Sequence, residues 1–558
     1  MNISKIIFST ISILMLASCG LTNMANKYNT VNYTVTPTTL ETHGGNVALS
    51  IKGDFAEKYF AKQATVNITP YLLSNNNGQE IITPFKTITI QGEEASGGET
   101  TIFYETGGSF TYSDEIKYNP NMSDNILLLK ASAKIKDEEK NLGEVKLGRG
   151  VIATSTRVLN NEDLANDNHS YEHETILEES ATIYFLVNQA NIRTTEKSDE
   201  DIARLTEFAK KRYKTHSIEI KSYASPEGSV NINDNISAER MKSTVNYTKR
   251  LLKSLKVNGA DDNNLYTETS IGEDWEGFGN MIKTSTIKDK RKINRIVNSV
   301  EDVELREQQI RDLSEIYDAI KDDVLPQLRK AEIVIRSFEP KRTDENIAKL
   351  STTHPDSLTI QELLFSATLT KDNSVKQTIF NSVIELHNDW RGYNNLACTY
   401  MSENNISKAR NLLSTAKKIG GEQKDILINE GILAAWAGSL KHAQTKFSKG
   451  NVSERNQAIL DIRKGDYSKA SRYFKNEKSH NAVLAQMLNG QKNINCTENT
   501  AECHYLNAII AARNNNNNNV ITNLAKAING NPKYKKEALV DLEFINLREN
   551  ESFISIIK

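Results

Sequence analysis

Hydrophobic and polar positions change period twice along this chain. Over residues 30–158 they alternate: Val47, Leu49 and Ile51 share one face of NVALSIKG, and Val66 and Ile68 repeat the pattern in ATVNITPYLL. Alternation over short stretches marks half-buried strands. Further candidates span 83–90, 101–105, 126–136 and 143–156, separated by the turn-forming NNNG, ASGG and TGG. Short strands at this spacing predict an antiparallel β-sandwich over 30–158. Residues 159–177 are polar and acidic and read as a linker. Between 178 and 340 the two periods interleave. TIYFLVNQANI and SIEIKSY read as strands, the second with Ile218 and Ile220 on one face. SDEDIARLTEFAKKRY reads as a helix with Ile202, Leu205, Phe208 and Ala209 inward. Ser237 is placed to cap a helix in which Met241, Val245, Thr248, Leu252 and Leu255 step by four and three. The order is strand, helix, strand, helix, insertion, strand, which predicts an α+β module. Beyond 345 only the helical period persists, which predicts an all-α region over 345–558.

Composition narrows the function classes. A chain of 558 residues holds three to five domains at the usual size, and 25% charged with 38% hydrophobic residues is an ordinary globular balance. Its 69 basic and 71 acidic residues leave a net charge of -2, so no global attraction to nucleic acid is expected. The one long apolar run is Ile6–Leu16, behind Lys5. It is too short to cross a ~30 Å hydrocarbon core but suits the apolar stretch of an export signal over 1–18. No internal span remains, which argues against a transporter.

The run ends in Leu16-Ala17-Ser18-Cys19-Gly20. This LASC resembles the lipobox of bacterial lipoproteins. The resemblance implies cleavage before Cys19, acylation of its thiol and anchoring in outer-membrane lipid, with 19–29 as a tether. Several acyl chains at about 0.8 kcal/mol per buried CH₂ hold a protein stably without a transmembrane helix. Residues 20–27 carry no acidic residue. An acidic run there sends some lipoproteins to the cell surface, so the expected location is the outer membrane with the protein facing the periplasm.

The most informative stretch follows the second strand. Ala224-Ser225-Pro226-Glu227-Gly228-Ser229 makes a turn, followed by Asn233, Ile236-Ser237 and Arg240-Met241, and Leu328 to Ile335 (LRKAEIVI) supplies a closing strand. Together these resemble the peptidoglycan-binding domain of the outer-membrane protein A-like (OmpA-like) family. The resemblance covers 178–340, with a helical insertion over 272–326. Gly272 to Phe278 (GEDWEGF) resembles insertions that accompany the SPEG turn in OmpA-like proteins of some Gram-negative lineages. In that family an Asp pairs the ammonium of diaminopimelate in the wall peptide, while an Arg and a helix N-terminus hold its carboxylate. Here Ser237 and Arg240 match the carboxylate half, Asn233 its approach, and Ser225 stands where the family has Asp. A charge-assisted hydrogen bond is worth ~1.5–3 kcal/mol, so the missing Asp alone weakens such binding about 10- to 150-fold unless Glu227 restores the anion. Two roles for Arg240 stand open: a ligand contact, or a brace for the turn.

Trp390 to Ala397 (WRGYNNLA), with Tyr400, Ala409, Leu413 and Ala416, resembles a tetratricopeptide unit. Thirty-four residues on, Gly431, Ala434, Ala443, Phe447 and Gly450 repeat it. A degenerate unit carries Ala470 and Phe474, and another Ala508, Ala511, Leu524, Ala527 and Pro532. This implies a stacked solenoid whose concave face binds an unidentified protein partner. Cys398 reads as a buried small residue, while Cys496 and Cys503 flank a polar loop and can pair in an oxidising compartment.

Signals for chemistry are sparse. His169-Ser170-Tyr171-Glu172-His173 spells the inverted zinc-protease pattern but lacks an apolar stripe and a third ligand, so it reads as linker. Glu273 and Asp274 beside Trp275 read as a helix start. No P-loop, G-x-S-x-G or H-E-x-x-H occurs. The expectation is a protein that is not an enzyme and needs no cofactor. It would tether membrane to diaminopimelate-containing peptidoglycan and dock a partner on its repeats. The alternative is an assembly subunit of an outer-membrane secretion or biogenesis machine that does not bind wall.

Overall fold

The structure, a computed structural model, describes residues 20–76 and 79–558. The expected export signal and the expected acylation site Cys19 lie outside the described residues. The chain divides into two compact units: residues up to Asn168 together with Lys376–Lys558, and His169–Val375. This differs from the expected beads in a row. The first strands and the helical repeats form one unit, and the α+β module is inserted between them in sequence.

In the first unit ten strands follow the predicted alternation. They are β1 (Asn32–Thr36), β2 (Thr39–His43), β3 (Asn46–Phe55), β4 (Thr65–Asn76), β5 (Gln79–Pro84), β6 (Ile88–Gly92), β7 (Thr100–Ile102), β8 (Gly108–Lys117), β9 (Asn125–Ile135) and β10 (Glu138–Ile152). The sheet is mixed and continuous rather than an antiparallel sandwich of two separate sheets. β2 pairs with β3 on one side and runs parallel to β10 on the other, joining two layers into the path β1-β3-β2-β10-β9-β4-β6-β7. Val47, Leu49, Ile51, Val66 and Ile68 are buried in the shared core. The predicted strand 83–90 is two strands, split at Phe85 to Thr87, and β1, β2 and β8 are additional. The expected tether does not hang free: residues 20–26 are helical, and Leu21, Met24 and Tyr28 are buried in the same core.

The repeats of this unit are helix pairs. The first helices of successive pairs are Trp390–Ser402, Lys424–Trp436, Glu454–Lys464, His480–Leu488 and Ala501–Arg513. The stack is compatible with a tetratricopeptide-like solenoid, but the starts at 390, 424, 454, 480 and 501 show the period shrinking below 34 after the first step. The sheet packs directly on the stack. The β2–β3 turn places Gly44 (φ 58°) where a Cβ would lie 2.6 Å from the Lys464 carbonyl oxygen. Arg548 pairs with Asp124 at 3.1 Å, and Arg513 bridges Glu41 and Glu543. The expected boundary at 345 moves as well, since helices Asp344–Thr353 and Ile360–Ser366 fall in the second unit.

The second unit holds a four-stranded sheet in the order β11-β14-β12-β13, from β11 (Ile176–Tyr184), β12 (Thr215–Ala224), β13 (Tyr266–Glu273) and β14 (Lys330–Phe338). β12 and β13 are parallel, and the other neighbours are antiparallel. β13 was not among the predicted strands. Helices Glu200–Lys210 and Val230–Ser254 cover one face, burying Ile202, Leu205, Val245 and Leu252 against Ile218, Ile220, Ile333 and Ile335. The other face carries ion pairs of Arg336 with Glu178 and Glu219. The insertion folds as short helices around its own core of Phe278, Ile282, Ile293, Ile310 and Leu325.

Candidate functional site

The helix expected to start at Ser237 starts at Val230, with Ser229 before it. Ser237 is therefore in mid-helix, and Arg240 lies almost three turns in, not at a helix N-terminus. No free N–H groups remain beside them. Ser237 is fully buried and pins the helix to the sheet. Its Oγ donates to the Ser222 carbonyl (3.2 Å) and accepts from the Gly272 N–H (3.1 Å).

Arg240 is 2% exposed, and each guanidinium nitrogen donates to a main-chain carbonyl. Nε reaches Gln189 (3.1 Å), and the two terminal nitrogens reach Tyr223 (3.0 Å) and Leu186 (3.1 Å). Burial, then repulsion from Arg329, lowers its pKa to about 10 against the pull of Glu227, so the group stays charged at neutral pH. The geometry is that of a brace, holding the loop after β11 to the end of β12.

The substitute anion is likewise engaged. Ser225 Oγ donates to Glu227 Oε1 (2.9 Å), and Arg329 at the start of the closing strand pairs with the same oxygen at 2.7 Å. Gly228, at φ 93° in the turn, donates its N–H to Glu307 of the insertion (2.5 Å). Asn233 donates to the Glu227 carbonyl (3.0 Å) and to Glu273 (2.8 Å), and Glu273 also accepts from the Trp275 indole (2.8 Å). Asp274 caps the next helix through the Gly277 N–H (2.7 Å). The structure thus gathers Ser225, Glu227 and Asn233 with Arg329 of the closing strand, Glu273, which the sequence reads as a helix start, and Glu307, which it does not mark. Most of their donors and acceptors are spent on one another, and Glu227 Oε1 is shared by Ser225 and Arg329.

His169, Tyr171 and His173 are not helical, and their rings surround Phe365 at centroid distances of 5.4, 4.6 and 4.9 Å. Among the described residues, the one cluster with metal-ligand spacing is Cys496, Glu498 and Cys503, and its two cysteines are joined as a disulfide with Cα atoms 5.6 Å apart.

The larger discovery lies in the helical stack. The segment expected as a linker runs extended along the inner helices, held by asparagine side chains. Asn481 accepts from the Leu159 N–H (2.8 Å) and donates to its carbonyl (3.0 Å). Asn456 does the same for Asp163 (2.8 and 2.8 Å), and Asn429 for Ala165 (3.0 and 2.9 Å). Asn395 and Asp425 close the far end on Asn168. A primary amide offers one acceptor and two donors, so it can satisfy both the N–H and the C=O of one residue, as a neighbouring strand would. Side chains add selectivity. Glu162, deeply buried, accepts from Trp436 (2.7 Å) and pairs with Arg463 (3.2 Å). Arg157 pairs with Glu537 (2.9 Å) and Asp541 (3.0 Å) and lies 4.1 Å over the Tyr505 ring. Cys398 is buried as expected, and its thiol faces the Ala165 carbonyl. The groove that was expected to receive a partner already holds the chain's own residues 157–168.

No family model matches the chain, and no curated protein matches it. Among solved structures it is similar to a chain of the APC/C hetero-tetramer Cut9-Hcn1, at 14% identity over 59% of this chain. The match spans 66% of that chain, just under two thirds, with a TM-score of 0.23. A likeness this slight assigns neither fold nor activity.

Proposed function

We propose that this protein is a non-catalytic scaffold of the bacterial envelope, anchored in outer-membrane lipid through Cys19 and facing the periplasm. In this reading its OmpA-like module no longer grips the cell wall through the Arg240 pocket, and the protein serves as an assembly subunit. The LASC motif and the Ser225–Arg240 resemblance support the envelope setting, and a stack of helix pairs suits protein docking on the faces that residues 157–168 leave open. One observation favours the scaffold over the tether. All three Arg240 guanidinium nitrogens are bonded to the module's own carbonyls at 3.0–3.1 Å, which leaves the diaminopimelate carboxylate no ready partner.

The tether keeps one specific support: Glu227 stands beside Ser225, at the position where the resemblance asks for an anion, and is partly exposed. Sedimentation of the protein with diaminopimelate-type sacculi separates the two readings. The scaffold predicts no pelleting. Pelleting that free diaminopimelate competes away and Glu227→Gln abolishes would establish the tether instead. Fatty-acid labelling of the protein that persists in a Cys19→Ser variant would remove the lipid anchor from either reading.

A further inference from the structure

We propose that the insertion of the second unit carries a docking face for an anionic phospholipid surface. Lys283, Lys288, Lys290, Arg291, Lys292 and Arg295 fall within thirteen residues, with Asp289 as their single acidic neighbour, in a chain whose net charge is -2. None of the six makes an ion pair among the described residues, whereas Arg329 and Arg336 of the same unit are paired with Glu227, Glu178 and Glu219. Lys288, Arg291, Lys292 and Arg295 are exposed; Arg291 and Lys292 stand four and three residues before Arg295 on one side of helix Lys290–Ser299, and Lys288 lies in the turn just before it. Lys290, Arg291, Lys292 and Arg295 line a shallow cleft of about 570 Å³ together with Ile287 and Asp289.

Charge alone defines this face. The apolar side of the helix is already used: Ile293 is fully buried, and Ile296 and Val297 pack into the insertion's own core. A stable protein partner calls for an apolar centre with aromatic anchors, and single-stranded nucleic acid for stacking rings, but the cations carry neither among them. A layer of phosphate headgroups needs only cations held at one level. Each basic residue at such a surface is worth about fivefold in partitioning, so four act strongly together and fade as salt shortens the ~8 Å screening length. The proposal stands apart from acylation of Cys19, because the cations lie in a different unit from the N-terminal segment.

A chain lacking residues 1–19 keeps every described residue and removes the apolar run that would enter any vesicle. It should pellet with phosphatidylcholine vesicles containing phosphatidylglycerol, stay in solution with phosphatidylcholine alone, and be released by added salt. Arg291→Gln with Lys292→Gln should weaken binding about 25-fold. Replacing Lys288, Arg291, Lys292 and Arg295 by Glu should abolish it, with circular dichroism and urea unfolding unchanged because all four are exposed. Equal binding to both vesicle types, or binding that survives the charge reversal, would overturn the proposal. So would release by soluble polyglutamate at charge concentrations matching the lipid, since the partner would then be an acidic polymer.

Discussion

The two places where the sequence points to a ligand, the Arg240 turn and the inner face of the helical stack, are both occupied by the chain itself. They are occupied in different ways. Around Arg240 a charged group meets three carbonyls from one loop and a strand end, so it recognises acceptors only and locks a fold. In the stack, neutral amides meet both the N–H and the C=O of single residues along one continuous segment. A guanidinium placed there would have left the N–H groups of Leu159, Asp163 and Ala165 without acceptors. The contrast teaches that a cation staples a loop to a strand end, while an amide row accepts an extended chain.

The strongest test breaks the staple. Arg240→Ala strips three carbonyls of their donor inside the second unit and should cost about 3–5 kcal/mol, read as a lower urea midpoint, with Arg240→Lys recovering only part. The clamp should yield by smaller steps. Asn429→Ala removes both bonds to Ala165 and should cost about 2–3 kcal/mol. In hydrogen exchange the Ala165 amide should lose protection first, and Asn456→Ala should extend the loss to Asp163. If both amides stay protected, the segment is held by its side chains rather than by the asparagines. The disulfide sharpens the contrast from outside both sites. Cys496→Ser with Cys503→Ser reopens a loop with a sequence separation of 7 and should cost about 2 kcal/mol of first-unit stability, leaving Ala165 exchange unchanged.

Much of the fold was legible, for reasons that also explain the failures. Val47 to Ile51 and Ile202 to Ala209 announced themselves because a buried face imposes a period. β13 did not, because it is an edge strand whose side chains are mostly exposed, so TETSIGE alternates without an apolar stripe. Ser237 was misread as a cap because serine's local preference for helix starts competes with a tertiary role, here its Oγ between Ser222 and Gly272. Residues 159–168 looked like a linker because a segment gripped by its backbone needs few apolar side chains. Their partners were equally quiet: Asn395 and Asn429 are 34 apart, but Asn456 and Asn481 follow at shorter intervals as the repeats contract. Asparagines on the inner helix of successive pairs were the one available sign. Glu307 carried none, since its role depends on how the insertion folds back on the turn.

Acid offers the gentlest probe of the clamp, through the histidine at its Arg157 end. His480 Nε2 lies 2.8 Å from the Arg157 carbonyl, which can only accept, so the proton sits on Nε2. Its Nδ1 is buried without a partner. Charging the ring would place a second proton on Nδ1 with nothing to receive it, and burial holds the pKa below the ordinary 6.5 despite Glu498 and Glu502, with the Arg157 charge adding to the depression. Above 6.5 the ring is neutral in folded and unfolded chains alike and contributes no pH dependence. As pH falls through 6.5, the unfolded chain takes up a proton that the folded chain refuses until its lower pKa is reached. First-unit stability should therefore decline across that window and then level off. His480→Gln, which keeps a donor for the Arg157 carbonyl, should remove the decline while leaving stability at neutral pH within about 1 kcal/mol. A decline that persists in that variant would locate the acid response in the carboxylates of the groove instead.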